Sequence, residues 1–128
     1  MRRVFRTRIF TRWMRKAALS DAALCRAVIE MAAGLIDADL GGYVVKKRIA
    51  LPGQGKRGGA RTLVATRLLD RWIFLYGFAK NERATIRDDE LKALQEIASE
   101  LLGLEERQLA VAMAADELVE ICDDDDEP

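Results

Sequence analysis

Hydrophobic and polar positions alternate in two different rhythms along this chain, and the change of rhythm divides it. Residues 44–83 hold three apolar runs rich in β-formers: 44–51 (VVKKRIAL), 61–68 (RTLVATRL) and 72–78 (WIFLYGF). A glycine-rich join, Pro52-Gly53-Gln54-Gly55-Lys56-Arg57-Gly58-Gly59, separates the first two, and a short join around Asp70 separates the last two. This punctuation predicts three strands of an antiparallel meander. In the first strand a period of two places Lys46 and Arg48 on one face, and Val45, Ile49 and Leu51 on the other with Lys47 at its edge. The third run is apolar on both faces, which predicts a central strand.

Outside the meander the rhythm is mostly helical. Residues 3–9 alternate Val4, Arg6, Arg8 against Phe5, Thr7, Ile9 and predict a short first strand. Residues 10–18 predict a brief basic helix, whose cations are either phosphate contacts or a solvated face. Ser20 is a good N-cap for a second helix, with Asp21 in its first turn, Leu24, Val28 and Met31 on its apolar side and Gly34 as its stop. Residues 35–42 read as a connector in which Asp37 and Asp39 are turn residues. A helix follows from Arg87 to a stop at Gly103, with Leu91, Leu94, Ile97, Ala98, Leu101 and Leu102 on its buried stripe. Residues 105–115 are weakly helical, 118–122 suit either a final strand or more helix, and 123–127 are an acidic run expected to be disordered.

Charge changes the picture more than composition does. The formal net charge is zero, yet residues 1–83 hold 18 Lys/Arg against 6 Asp/Glu, and residues 84–128 hold 3 against 15. Such a division predicts a nucleic-acid surface in the first part. The acidic run reads first as a plain solubility tail and second as a partial screen of that surface. Histidine is absent, which excludes Ser-His-Asp and Cys-His catalysis and disfavours zinc. Cys25 and Cys122 match no metal-ligand spacing, and Cys25 reads as a small buried apolar residue. No run is long enough to span a membrane and no signal-peptide pattern opens the chain, so a reducing cytoplasm is expected. Gly53-x-Gly55-x-x-Gly58 joins two strands and does not open a helix, so it is not a dinucleotide fingerprint.

If the meander's cations converge, they bind phosphate by charge and bidentate geometry. They also suit cleavage of RNA without histidine. The 2′-OH attacks its own phosphodiester when held in line, a lysine serves as acid or base, and arginines stabilise the developing charge.

Four blocks carry a resemblance: Val45-Lys46-Lys47-Arg48, residues 52–61, Tyr76-Gly77-Phe78-Ala79-Lys80-Asn81-Glu82-Arg83 and Asp89-Glu90-Leu91-Lys92-Ala93-Leu94. With the order strand, two helices, meander, helix, they resemble the RelE/ParE toxin superfamily of type II toxin–antitoxin systems, closest to its HigB-like RelE branch. The resemblance implies an α+β, microbial RNase-like fold: a small antiparallel sheet with two N-terminal helices and C-terminal helices. It implies a toxin domain over residues 1–103, a helical extension over 104–122 packed on it, and the tail 123–128. It further implies a cytoplasmic, metal-independent mRNA endonuclease, an mRNA interferase that acts on the ribosome to inhibit translation. No cofactor is expected; the partners are a cognate antitoxin, mRNA and the ribosome. By that likeness Lys46, Arg48, Arg61, Lys80 and Arg83 are catalytic, and Lys47, Lys56 and Arg57 bind RNA. Two departures stand out: Asn81 replaces an arginine, and no tyrosine follows Arg83 to stack on a base. The alternative is a ParE-like protein that inhibits gyrase or another protein without cutting RNA.

Overall fold

The computed structural model describes residues 2–53 and 58–122. Its centre is one six-stranded sheet in the order β2-β3-β4-β5-β1-β6. The strands are β1 (Arg3–Thr7), β2 (Ala38–Asp39), β3 (Val44–Leu51), β4 (Gly59–Thr66), β5 (Arg71–Ala79) and β6 (Leu118–Ile121). The meander β3-β4-β5 is antiparallel, as its punctuation predicts, and β5 lies inside the sheet between β4 and β1. The sheet as a whole is mixed, because β1 runs parallel to β5. Two helices separate β1 from the meander, so β1 returns to the far side of β5 by a crossover and not by a hairpin.

The helices are α1 (Arg8–Lys16), α2 (Asp21–Ala32), α3 (Asp88–Leu102) and α4 (Glu106–Ala114). The first strand is shorter than its alternation suggests, because the Thr7 hydroxyl accepts a hydrogen bond from the Phe10 amide and starts α1 at Arg8. Ser20 caps α2 through the Ala23 amide, and Gly34 takes φ +98°, the left-handed turn that ends it. Residues 118–121 are a strand, so the segment expected as a helical extension contributes both α4 and the edge strand β6 to the same sheet.

Each face of the sheet buries its own core. On the back face, α1 and α2 cover Val45, Ile49, Val64, Trp72 and Phe74 with Phe10, Met14, Leu24 and Val28. On the front face, α3 and α4 cover Val44, Leu63, Ala65, Ile73 and Leu75 with Ala98, Leu102 and Leu109. The tightest approach lies at Gly77. A Cβ there would collide with the Trp13 ring, so a bare backbone lets α1 lie flat on β5. Arginines close the helix ends: Arg71 donates to the carbonyls of Leu101, Leu102 and Leu104 at the end of α3, and Arg8 to that of Ala115 after α4.

Cys25 is not a free apolar thiol. It forms a disulfide with Cys122, 97 residues away, which ties α2 to the end of β6. The run 123–128 lies outside the described residues, but its anchor, Cys122, sits at the end of the sheet marked by Arg3 and Arg71.

A cross-link enclosing so long a loop removes much denatured-state entropy, on the order of 4–5 kcal/mol in the chain-entropy model. Dithiothreitol is therefore expected to lower the urea midpoint of the wild-type protein by an amount equivalent to about 2–5 kcal/mol. A Cys25→Ser/Cys122→Ser protein should start at the lower midpoint and show no response to the reductant.

Candidate functional site

Strand alternation divides the run Lys46-Lys47-Arg48 between the two faces. Lys46 and Arg48 project to the front, in register with Leu63 and Arg61 of β4. Arg61 in turn stands opposite Phe78, and Leu63 opposite Tyr76. Lys46, Arg48, Arg61, Tyr76 and Phe78 thus share the front face. The buried part of that face, Val44, Ala65, Ile73 and Leu75, lies under the helices. Arg48 is exposed, whereas Arg61, inside the sheet, retains 8 % exposure. Two arginines directly opposed on neighbouring strands repel one another, so the pairing suits an anion shared between them.

Acidic residues that the sequence reading set aside hold this strip in place. Asp37 accepts the Arg48 amide at 2.7 Å and lies 3.3 Å from its guanidinium. It is a positioning carboxylate. Asp39 caps the next turn through the Gly41 amide. No cluster able to hold a metal occurs among the described residues.

Arg83 reaches back over β5. Its guanidinium lies 5.7 Å from the Phe78 ring centroid, touches the Tyr76 hydroxyl at 3.5 Å and makes a two-pronged pair with Glu90. Glu90 also accepts the Arg87 amide at the start of α3. The Arg83 hydrogen bond, followed by the Arg87 amide, holds the Glu90 carboxyl down at about 2, and Arg83 is raised in turn. Arg83 is therefore a clamped cation that positions Phe78 and Tyr76. Lys80 is exposed just beyond the end of β5.

Two expected RNA contacts, Lys56 and Arg57, lie outside the described residues. A third is corrected. Lys47 is 4 % exposed on the back face, where its ammonium meets Glu30 and the Leu35 carbonyl, each at 2.8 Å. It pins β3 to α2 and its following loop and faces away from Arg48 and Arg61. No site role is assigned to Tyr76, Phe78, Asp37 or Glu90 by the sequence alone. The signal for the two rings was present: Tyr76 and Phe78 alternate with Gly77, and period two puts both on one face. The two rings precede Arg83 and lie 6.3 Å apart, tilted by 45°.

The different duties of these charges are separable by experiment. Lys47→Met should lower stability by about 1–3 kcal/mol, since it takes a partner from a half-buried carboxylate, and should leave RNA affinity unchanged. For Glu90, whose folded-state value lies below the ordinary 4.5, the stabilising contribution is complete above about pH 4.5 and is lost as pH falls toward 2. The melting-temperature difference between wild type and Glu90→Gln should therefore be constant near neutrality and shrink across that acidic window.

No curated protein matches the chain. A family model described as the RelE toxin of the RelE/RelB toxin–antitoxin system matches residues 2–121, which is nearly the whole chain and includes β6. No helix among the described residues is long and apolar enough to cross a membrane. With a match of that extent on this α+β fold, the chain belongs to the RelE toxin family, and membership implies a cognate antitoxin as its partner.

Proposed function

We infer that this toxin is an mRNA endonuclease that cuts by attack of a ribose 2′-OH on the adjacent phosphodiester, acting on ribosome-bound message. The observation that carries the reading is the front-face register of Arg48 with Arg61, flanked by Lys46 and by the Tyr76 and Phe78 rings. Guanidinium groups on neighbouring strands suit the non-bridging oxygens of one phosphate through paired N–H donors. Arg61, largely withdrawn from water, is the transition-state donor, because a desolvated charge acts most strongly on an oxyanion. Lys46 is the acid/base group and delivers a proton to the departing 5′ oxygen. The 2′-OH proton passes to water, leaving a 2′,3′-cyclic phosphate and a free 5′-OH. Tyr76 is the stacking platform for a neighbouring base. Lys80 contacts backbone beyond the cut, and Arg83 holds the aromatic wall. The resemblance to the HigB-like branch supports the ribosome as the setting.

Arg61→Ala should reduce cutting by about 10²–10³-fold. Because Arg61 is buried in an interior strand, Arg61→Lys is the informative companion: it keeps the charge, loses the planar fork and should recover only part of the rate. Fragment ends bearing 2′,3′-cyclic phosphate, read by end-specific ligation in a translating extract, would establish the chemistry. Growth arrest that persists in a folded Arg61→Ala protein, together with inhibition of gyrase supercoiling, would replace the nuclease reading with the ParE-like one.

A further inference from the structure

The chain has two cysteines, and both enter the bond between Cys25 of α2 and Cys122 just past β6. That bond borders a small surface crevice, whose other lining residues are Val4, Val28, Ile29 and the exposed Arg2. Cys122 retains 8 % exposure against 3 % for Cys25, so an incoming thiolate reaches the Cys122 sulfur first. The leaving group is then the Cys25 thiolate. Arg2 places a cation in the crevice, and the acidic residues that follow Cys122 in sequence disfavour a thiolate at that end. A bond that thiols can reach is of the labile, regulatory kind and not a sealed staple.

The strand beside the bond is the one most easily lost from the sheet. β6 has four residues and pairs with β1 alone. Left-handed residues that are not glycine bracket it, Asp116 at φ +58° and Cys122 at φ +64°, conformations that persist only where the surroundings impose them. Beyond the ladder, Glu120 pairs with Arg3, and Leu118 and Ile121 enter the front and back cores. The other strands carry their cores without it, with Val64, Trp72 and Phe74 on the back and Leu63, Ile73 and Leu75 on the front. Opening the bond therefore acts first on β6, and through it on the edge of β1, where Val4 and Phe5 are buried.

We propose that the Cys25–Cys122 bond is a reversible thiol switch that sets the lifetime of the toxin: reduction releases β6 from β1 and opens α4 and β6 to proteases, and oxidation closes them. The reductant is a cellular thiol of the glutathione class. Its thiolate attacks Cys122 Sγ, the S–S bond breaks, and Cys25 leaves as a thiolate that takes up a proton. A second thiol attacks the reductant's sulfur in the mixed disulfide and releases Cys122, which is protonated in turn. The protein has then gained two electrons and two protons, and the two thiols have lost them and joined as their own disulfide. That disulfide drives the reverse exchange. The switch operates whichever reaction the front face performs.

Glutathione buffers from fully reduced to fully oxidised, followed by thiol alkylation and intact mass, measure the equilibrium. The folded wild-type protein should pass from disulfide to dithiol within that series and return when the buffer is reversed. A bond that stays closed in reduced glutathione until urea unfolds the protein is a structural staple, and that result would overturn the proposal. Amide exchange locates the opening. In the reduced protein, β6 amides should exchange at least about ten-fold faster and without dependence on sub-denaturing urea, as local opening requires, while β4 keeps a steep dependence. Exchange at β6 that follows urea as β4 does would mean a global loss of stability and no switch. Cys25→Ser/Cys122→Ser stands for the reduced form with no reductant present. Thermolysin should cut it at least about ten-fold faster than the oxidised wild type, with first cuts within residues 104–122. Equal rates, or first cuts in the meander, would sink the proposal.

Discussion

Side-chain alternation along β3 is the constraint on which the rest of the structure depends. Three consecutive cations in an extended strand cannot share a face. Lys46 and Arg48 project to the front, so Lys47 is driven under the helices, where an unpaired ammonium would be costly. The fold answers with Glu30 from α2 and the Leu35 carbonyl from the loop that follows. That contact fixes the register of β3, and the register puts Arg48 opposite Arg61. Shifting the strand by one residue would bury two cations and expose one. The chemistry of the front is thus anchored by an ion pair on the back.

The same coupling recurs at β5. The ring pair Tyr76 and Phe78 flanks Gly77, and the missing side chain at Gly77 gives Trp13 its seat. One three-residue stretch therefore shapes the aromatic wall on one face and seats α1 on the other. α1, in turn, carries Arg12 and Arg15. The front-face cations and this basic helix are held back to back through a single strand.

Much of this was legible in the residues. The meander, the interior position of β5, the Ser20 cap and the front placement of Lys46 and Arg48 follow from period, turn chemistry and apolarity. Lys47 was misplaced because alternation reveals the face a side chain takes but not the partner waiting there, and Glu30 lies on another element. The disulfide was missed for the same reason: Cys25 and Cys122 are neighbours only once α2 and β6 have packed. Glu90 and Asp37 were read as helix-start and turn residues, roles they do fill locally; their grip on Arg83 and Arg48 is a tertiary fact. The strand at 118–121 was undecidable because four apolar-rich residues carry too little periodicity until β1 offers an edge.

The pairing of β1 has a consequence for how the protein is made. β1 leaves the ribosome before every other described element, yet its two neighbours in the sheet are β5 and β6, which emerge much later. Throughout most of synthesis β1 has no strand to join, and local contacts can assemble only α1, α2 and the meander. Closure of the sheet, and then of the Cys25–Cys122 ring, waits until the last strand is free of the exit tunnel. The newly made toxin thus passes through an interval in which its apolar strands lack their final covering. A partner that recognises those strands has its first opportunity before the fold is complete.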